Sequence, residues 1–346
     1  MSDDARVRLW GRDIGAASWL ADREVGVFQY VPELVGRGIE PAPLTMPVRA
    51  FPYEFPALAR PTFHGLPGLL ADALPDRFGH AVIDAWLAAQ GRTAASFHPV
   101  ERLCYVGRRG MGALEFEPAL LGEPTPEREA DVAKLVQLAS RVLDRRSGLR
   151  GVFTGEDDRE AIDDILRVGT SAGGARAKAV LAWNPRTGAF RSGQVDVEAG
   201  FEPWLMKFDG VAGSGDHGVA DPQGYGKVEY AYHLLATAAG VRMAPCRLHH
   251  EGGRSHFMTR RFDRTTGGDK LHLQSLGAMA HLDFNQPGAH SYEQALEVMK
   301  RLQLPREDLE QQVLRAMFNV AARNQDDHVK NIAFLMDRQG AWRLAP

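Results

Sequence analysis

Near the end of the chain, Asn324-Gln325-Asp326-Asp327-His328-Val329-Lys330-Asn331 gathers two carboxylates, an imidazole, an ammonium and several amides. A helical apolar pattern (Leu309, Val313, Met317, Val320) precedes it, and a strand-like run, Ile332-Ala333-Phe334-Leu335, follows. The spacing predicts a polar loop held between a helix and a strand. Asp326 and Asn331 stand five residues apart. Protein kinases use that separation for phosphoryl transfer: the Asp takes the proton of the substrate hydroxyl, and the Asn holds a metal ion. The spacing alone is weak evidence, so its context matters. His328 beside Asp327 also offers a pair of transition-metal ligands. His249, His250, His281 and His290 show no close ligand spacing to it, and a histidine that organises the loop is the simpler reading.

Three upstream features could serve the same chemistry. Gly169-Thr170-Ser171-Ala172-Gly173-Gly174-Ala175-Arg176-Ala177-Lys178 is a small-residue stretch before a strand. Small residues let backbone N–H groups approach phosphate oxygens, although a mobile surface loop has the same composition. Lys207, in Trp204-Leu205-Met206-Lys207-Phe208, must reach solvent or an anion from an apolar strand. Glu229 is either its carboxylate partner or a first-turn glutamate favoured by a helix dipole. Arg260-Arg261-Phe262 ends a further strand, where Phe262 could dock a nucleotide base or simply close a salt-bridged surface.

These residues need two domains or a bilobal scaffold to position them, and 346 residues allow either. With 44% hydrophobic and 25% charged residues, the chain can bury sizeable cores. A net charge of −3 leaves no global footprint for nucleic acid. Two cysteines, Cys104 and Cys246, argue for a reducing compartment without a disulfide framework. No run approaches the roughly 18 apolar residues of a membrane span, and Met1-Ser2-Asp3-Asp4 lacks the regions of a signal peptide. The expected setting is the cytoplasm.

Alternation predicts strands at Val7–Trp10 and Glu24–Tyr30, with a turn at Gly11-Arg12-Asp13. Residues 40–62 hold six prolines, which predicts an extended segment hugging the surface. Leu66 to Gln90 reads as helical, with a new helix starting near Pro75-Asp76. Residues 104–107 and 111–116 read as a hairpin around Arg108-Arg109-Gly110, residues 117–130 as a linker, and Asp131–Leu149 as an amphipathic helix. Strands follow at Lys178–Trp183, Trp204–Phe208 and His256–Phe262. Helices are expected at Tyr230–Ala239, Tyr292–Leu302 and Glu307–Asn319. The order is Gly-rich loop, strand with Lys, helix, strand, helices, then Asp…Asn loop, as in a protein kinase.

Together these residues resemble the HipA family, the kinase toxins of bacterial type II toxin–antitoxin systems. The resemblance covers essentially the whole chain, including Leu74-Pro75-Asp76-Arg77-Phe78-Gly79 and Gly107-Arg108-Arg109-Gly110-Met111-Gly112-Ala113-Leu114. It implies an α+β, protein-kinase-like bilobal fold. A β-rich N-terminal subdomain (1–120) would precede a small lobe (131–262) and the start of a helical large lobe (263–346). It implies ATP and Mg2+ as cofactors and a serine or threonine of a protein as substrate, commonly an aminoacyl-tRNA synthetase. It implies a small helix-turn-helix antitoxin, HipB-like, that links the kinase to operator DNA, and no membrane partner. By resemblance Asp326 is the catalytic base. Gly173, Gly174, Ala175, Arg176, Ala177, Lys178 and Lys207 bind phosphates. Arg260, Arg261 and Phe262 match the base-contacting hinge, although the family often has an acidic residue where Arg260 stands. His328, Val329, Lys330 and Asn331 form the metal- and nucleotide-binding remainder of the loop, with Asn331 on the metal. Ser171 matches an autophosphorylated serine.

One departure carries a consequence. Kinases need a second acidic metal ligand, which in HipA-like chains follows a strand, after a Pro-aromatic step. The strand Ala341–Pro346 leads up to that point. A shortened helical lobe, impaired transfer and exposed apolar surface are therefore expected. The rival expectation is a catalytically inactive kinase-like module that docks an antitoxin. A weaker one is a metallohydrolase using Asp326, Asp327 and His328.

Overall fold

A computed structural model describes residues 3–121, 129–146, 176–194, 199–211 and 223–346. The first part is a four-stranded antiparallel sheet of order β3-β2-β1-β4, built from β1 (Asp4–Leu9), β2 (Arg12–Leu20), β3 (Val25–Tyr30) and β4 (Leu114–Glu117). The alternation of β1 turns Ala5, Val7 and Leu9 inward. The Pro-rich segment lies along this sheet. Tyr53 exchanges backbone hydrogen bonds with Phe28 (2.7 and 2.9 Å), and the buried Tyr30 hydroxyl donates to the Met46 carbonyl at 3.0 Å. Four helices connect the strands: α1 (Arg60–Phe63), α2 (Gly68–Ala71), α3 (Arg77–Ala89) and α4 (Pro99–Val106). Helix α3 starts where Pro75-Asp76 predicts it. The Asp76 side chain accepts the Gly79 N–H at 2.7 Å as an N-cap.

Helix α5 (Val132–Arg146) leads to a five-stranded antiparallel sheet of order β6-β5-β7-β9-β8. Its strands are β5 (Lys178–Trp183), β6 (Phe190–Ser192), β7 (Glu202–Lys207), β8 (Cys246–Glu251) and β9 (Arg254–Arg260), with α6 (Tyr225–Ala238) inserted after β7. The last part holds β10 (His272–Ser275), α7 (Leu276–Ala280), α8 (Tyr292–Arg301), α9 (Arg306–Ala321), β11 (Ala333–Met336) and β12 (Trp342–Leu344). Its three strands pair antiparallel as β10-β11-β12. No described helix is long and apolar enough to cross a membrane.

Two apolar cores organise these elements, and each joins segments distant in sequence. One packs the N-terminal sheet against α7, α8, β11 and β12, through Phe28, Leu70, Met279, Met299 and Phe334. The other packs α3 and α5 on one face of the five-stranded sheet, through Phe78, Val82, Ala139, Ala179 and Met206.

Several expectations are corrected. Residues 104–106 are helical, not a hairpin arm: Pro99 opens α4 and its N-cap His98 accepts the Glu101 N–H at 3.2 Å. A three-residue apolar window cannot separate a helical from a strand period. The partner of β4 is β1, far away in sequence. The turn falls at Trp10-Gly11, so Arg12 and Asp13 already belong to β2. Strands β8 and β10 lacked any alternation to find. Their sequences, CRLHHE and HLQS, are largely polar, and β10 buries His272 and Gln274 by sheet pairing. The stripe on α9 does mark a helix, and Val313, Met317 and Val320 face outward, with Val320 75% exposed, which is the exposed apolar surface that was expected. Leu234 and Leu235 of α6 are exposed as well.

The N-terminal sheet is tied to the rest by a buried charge cluster. Asp263 is fully buried and takes Arg261 Nη2 at 2.7 Å, Arg264 Nη1 at 2.8 Å and the Gly112 N–H at 2.7 Å. Burial works to raise its pKa, but the two guanidinium groups and the Gly112 N–H hold it well below the usual carboxylate range. Asp263→Asn strands Arg261 in the interior with its counter-charge gone, and should cost about 3–5 kcal/mol. Urea unfolding would measure it, and a loss under about 1 kcal/mol would contradict the clamp.

Burial pushes the imidazoles of His272 and His281 down to about 4. His281 Nε2 accepts the Gly68 N–H at 3.1 Å and must be neutral to do so. Because the folded values lie below the unfolded value near 6.5, the unfolded chain takes up protons first on acidification. Stability should be flat above about pH 6.5 and fall progressively toward about pH 4. Melting temperatures that stay constant from pH 7 to about pH 5 would refute the neutral, buried state of these rings.

Candidate functional site

Register in the five-stranded sheet places Lys178 of β5 directly opposite Lys207 of β7. Like charges directly opposite each other repel, and each ammonium is met by a carboxylate from a different element. Lys207 Nζ lies 3.0 Å from Glu229 Oε1 on α6. The same oxygen takes Arg176 Nη1 at 2.9 Å, and the Arg176 guanidinium stacks 3.6 Å over the Tyr225 ring. Lys178 Nζ pairs with Asp76 Oδ2 at the N-cap of α3, and both side chains are about 95% or more buried. Burial pushes the Lys178 pKa down and that of Asp76 up, and each partner's charge opposes the shift of the other. Lys330 also acts electrostatically on both Asp76 and Lys178, and on His64. Lys178 and Lys207 thus stand side by side, and the Lys330 charge is close enough to act on Lys178.

The polar loop brings Lys330 there. Helix α9 ends with Arg323 at φ 54°, a left-handed stop that turns the chain out of the helix. A polar chain then fixes the entry. Asn324 Nδ2 donates to Asn319 Oδ1 at 3.0 Å, Asn319 Nδ2 to the Tyr292 hydroxyl at 3.0 Å, and that hydroxyl to Asp327 Oδ2. The exit is fixed by backbone: Gly277 N–H donates to the Val329 carbonyl at 3.0 Å and Leu276 N–H to Ile332 at 2.7 Å. Val329 is buried in the first core. Within the loop, Asn331 Nδ2 donates to the Asp326 carbonyl, and His328 Nε2 stands 3.5 Å from Asp326 Oδ1. His328 Nδ1 accepts the Lys330 N–H at 3.2 Å, so the histidine does organise the loop. The Asp326 side chain is 72% exposed.

Ser171, Gly173, Gly174 and Ala175 lie outside the described residues. Ala177 is buried, and its carbonyl accepts the Phe208 N–H at 2.9 Å. Arg260 Nη1 lies 4.0 Å from Glu202 Oε1. The Arg261 side chain is committed to Asp263 and to the Gly193 carbonyl at 3.1 Å, and its backbone N–H to Pro203. Phe262 is half-buried just past β9. Glu229 is the partner of Lys207 and sits beyond the first turn of α6, which contains no acidic residue. Sequence reasoning missed Asp76 as a charge partner, and Tyr292 and Asn319 as loop anchors. The N-cap signal at Asp76 was visible, but its pairing with a residue 102 positions away was not. Among the described residues, no three His, Cys, Asp or Glu side chains converge as a metal cluster.

The HipA N-terminal domain family matches residues 5–117, and the HipA-like C-terminal domain family matches residues 170–346. The chain belongs to the HipA family. A HipA relative in the Shewanella oneidensis MR-1 complex of HipA, HipB and operator DNA is similar in fold. Its TM-score is 0.64 at 17% identity, over 99% of this chain and 74% of that one. At that identity the likeness shows the fold alone, a mixed α/β, kinase-like architecture. "Putative kinase Y4mE" of Sinorhizobium fredii is 29% identical over 121 residues. That match spans 32% of this chain and only 29% of the Y4mE protein's own length.

The loop anchors and the exposed loop acid should behave oppositely. Tyr292→Phe removes the hydroxyl between Asp327 and Asn319 and should cost about 1–2 kcal/mol. Asp326→Asn should stay within about 0.5 kcal/mol of the parent, because its carboxylate faces solvent. Chemical denaturation of both variants checks this, and the reverse ranking would show that the loop is held by Asp326 instead.

Proposed function

We propose that this HipA-family chain is a serine/threonine-protein kinase of the toxin type, working on ATP and Mg2+. The observation that carries the reading is the Lys207–Glu229 pair between a strand and the following helix. Kinases require such a strand lysine and helix glutamate for activity. Lys178, directly opposite Lys207, and Lys330 from the Asp…Asn loop add positive charge to the same region.

On this reading, Lys207, Lys178, Arg176 and Lys330 bind and orient the phosphates, together with the small-residue loop through Gly173, Gly174 and Ala175. The strand end Arg260–Phe262 borders the base, with Phe262 as its packing surface. Asp326, exposed beside its partner His328, accepts the proton of an incoming serine or threonine hydroxyl. Mg2+ would be held by the Asn331 amide oxygen together with nucleotide phosphates and water. Bound there, Mg2+ would neutralise charge on the transferred phosphoryl group. The remaining rate enhancement comes from positioning and fixed charge. Ser171 is the proposed autophosphorylation site, where about −1.5 to −2 added charges would repel the nucleotide.

The proposed partners are a HipB-like helix-turn-helix antitoxin, operator DNA reached through it, and a protein substrate, with an aminoacyl-tRNA synthetase as the class to test. The HipB and operator DNA in the Shewanella complex support that partnership. The net charge of −3 agrees with DNA contact through an antitoxin rather than directly. That setting is cytoplasmic. The second reading is a catalytically silent docking module, supported by the HipB and operator DNA that accompany HipA in the Shewanella complex.

Calorimetric titration with a non-hydrolysable ATP analogue and Mg2+ tests the nucleotide site. Lys207→Ala should weaken binding by about tenfold or more, the value of a lost charge-assisted contact. Asp326→Asn should keep the affinity and abolish transfer of labelled phosphate. Nucleotide binding without transfer in the parent chain would select the docking module, and equal affinity of Lys207→Ala would take Lys207 out of the site.

A further inference from the structure

The Asp76–Lys178 pair has features that a purely structural ion pair does not need. Asp76 lies outside the matched C-terminal region, at the N-cap of α3, whereas Lys178 opens β5 inside it. The two carboxylate oxygens divide the work: Oδ1 takes the Gly79 N–H at 2.7 Å and Oδ2 takes Lys178 Nζ. The N-cap bond and the positive end of the helix fix the carboxylate in place. Its partner stands opposite Lys207 and within the field of Lys330. An unpaired lysine at such depth would lose its proton, and a neutral amine holds a phosphate poorly.

We propose that Asp76 is a positioning residue of the nucleotide site, which holds Lys178 charged and in place beside Lys207 so that both ammonium groups face the phosphates. The N-terminal sheet and its helices then complete the site instead of merely flanking it. This rests on the kinase reading above. It goes further by assigning a role to a residue from the other domain that makes no contact with the nucleotide itself.

Packing and positioning are separated by removing the two charges one after the other. Asp76→Asn takes away the carboxylate that pairs with the buried Lys178, so the variant is less stable as well as less able to bind. The double variant Asp76→Asn/Lys178→Gln removes both charges at similar volume and should regain much of that stability. Titration of the full chain with the ATP analogue and Mg2+ is paired with thermal unfolding in the absence of nucleotide. Both variants should bind about tenfold or more weakly, while only the single variant unfolds markedly earlier. If Asp76→Asn is unfolded at the assay temperature, the double variant carries the test. Recovery of affinity together with stability in the double variant would reduce the pair to packing and overturn the proposal. So would parental affinity in Asp76→Asn. A parent chain with no nucleotide affinity removes the kinase reading and this inference together, whereas a binding parent with unaffected variants removes this inference alone.

Discussion

Two lysines placed directly across adjacent strands repel, and the architecture around the second sheet answers that repulsion. Lys207 needs a carboxylate, so α6 must run where Glu229 can reach it, and Lys178 needs another, so α3 must bring its N-cap to the end of β5. Neither helix could shift by a turn without parting a lysine from its carboxylate, and for the buried Lys178 that costs several kcal/mol. The apolar packing of α3 and α5 on this sheet is permissive by comparison, since hydrophobic contacts are non-directional. The charge pairs therefore set the register of packing that the apolar core drives.

The same device recurs wherever a segment near the loop has to be held. Asp308, fully buried on α9, accepts Arg242 Nη2 at 2.6 Å, Arg343 Nε at 2.9 Å and the Leu344 N–H at 2.9 Å. Burial alone would raise its pKa, and these donors bring it below the ordinary value. The bonds fasten β12 to α9, and β12 in turn pairs with β11, which continues directly from the polar loop. Asp263 does the same between β9, the Gly112 turn and the N-terminal sheet. Each buried carboxylate bridges elements far apart in sequence and meets more than one donor, the condition under which burying a charge is tolerated.

This also explains what could be read from the sequence. The Asp326–Asn331 loop, the lysine of β7 and the start of α3 were legible because each depends on neighbours within a few residues: a spacing, an apolar run, an N-cap. The family resemblance was legible for the same reason, since it rests on short motifs in a fixed order. The pairing of β4 with β1, the polar strands β8 and β10, and the Asp76–Lys178 bond were not. Their cause is contact between distant segments, and a strand whose burial comes from sheet pairing carries no alternation of its own. Glu229 lies between the two cases: its helix was expected, but whether it served a helix dipole or Lys207 depended on how α6 docks.

On the proposed kinase reading, the burial gradient along the site fits a small ligand at one end and a large one at the other. Lys178 is almost fully enclosed, Lys207 is about one-third exposed, and Asp326 stands largely in solvent. Charges that grip polyphosphate gain strength where water is scarce, because the effective dielectric is lower there. A general base for a protein hydroxyl faces the opposite demand, since a side chain carried on a folded substrate cannot enter a closed pocket. Rigidity is therefore supplied differently at the two ends. The lysines are fixed by their own ion pairs, whereas Asp326 is fixed through its backbone, by Asn331 on its carbonyl and by the anchoring of Asn324 and Asp327 on either side. That division leaves the Asp326 carboxylate open for a proton while the main chain beneath it stays in place.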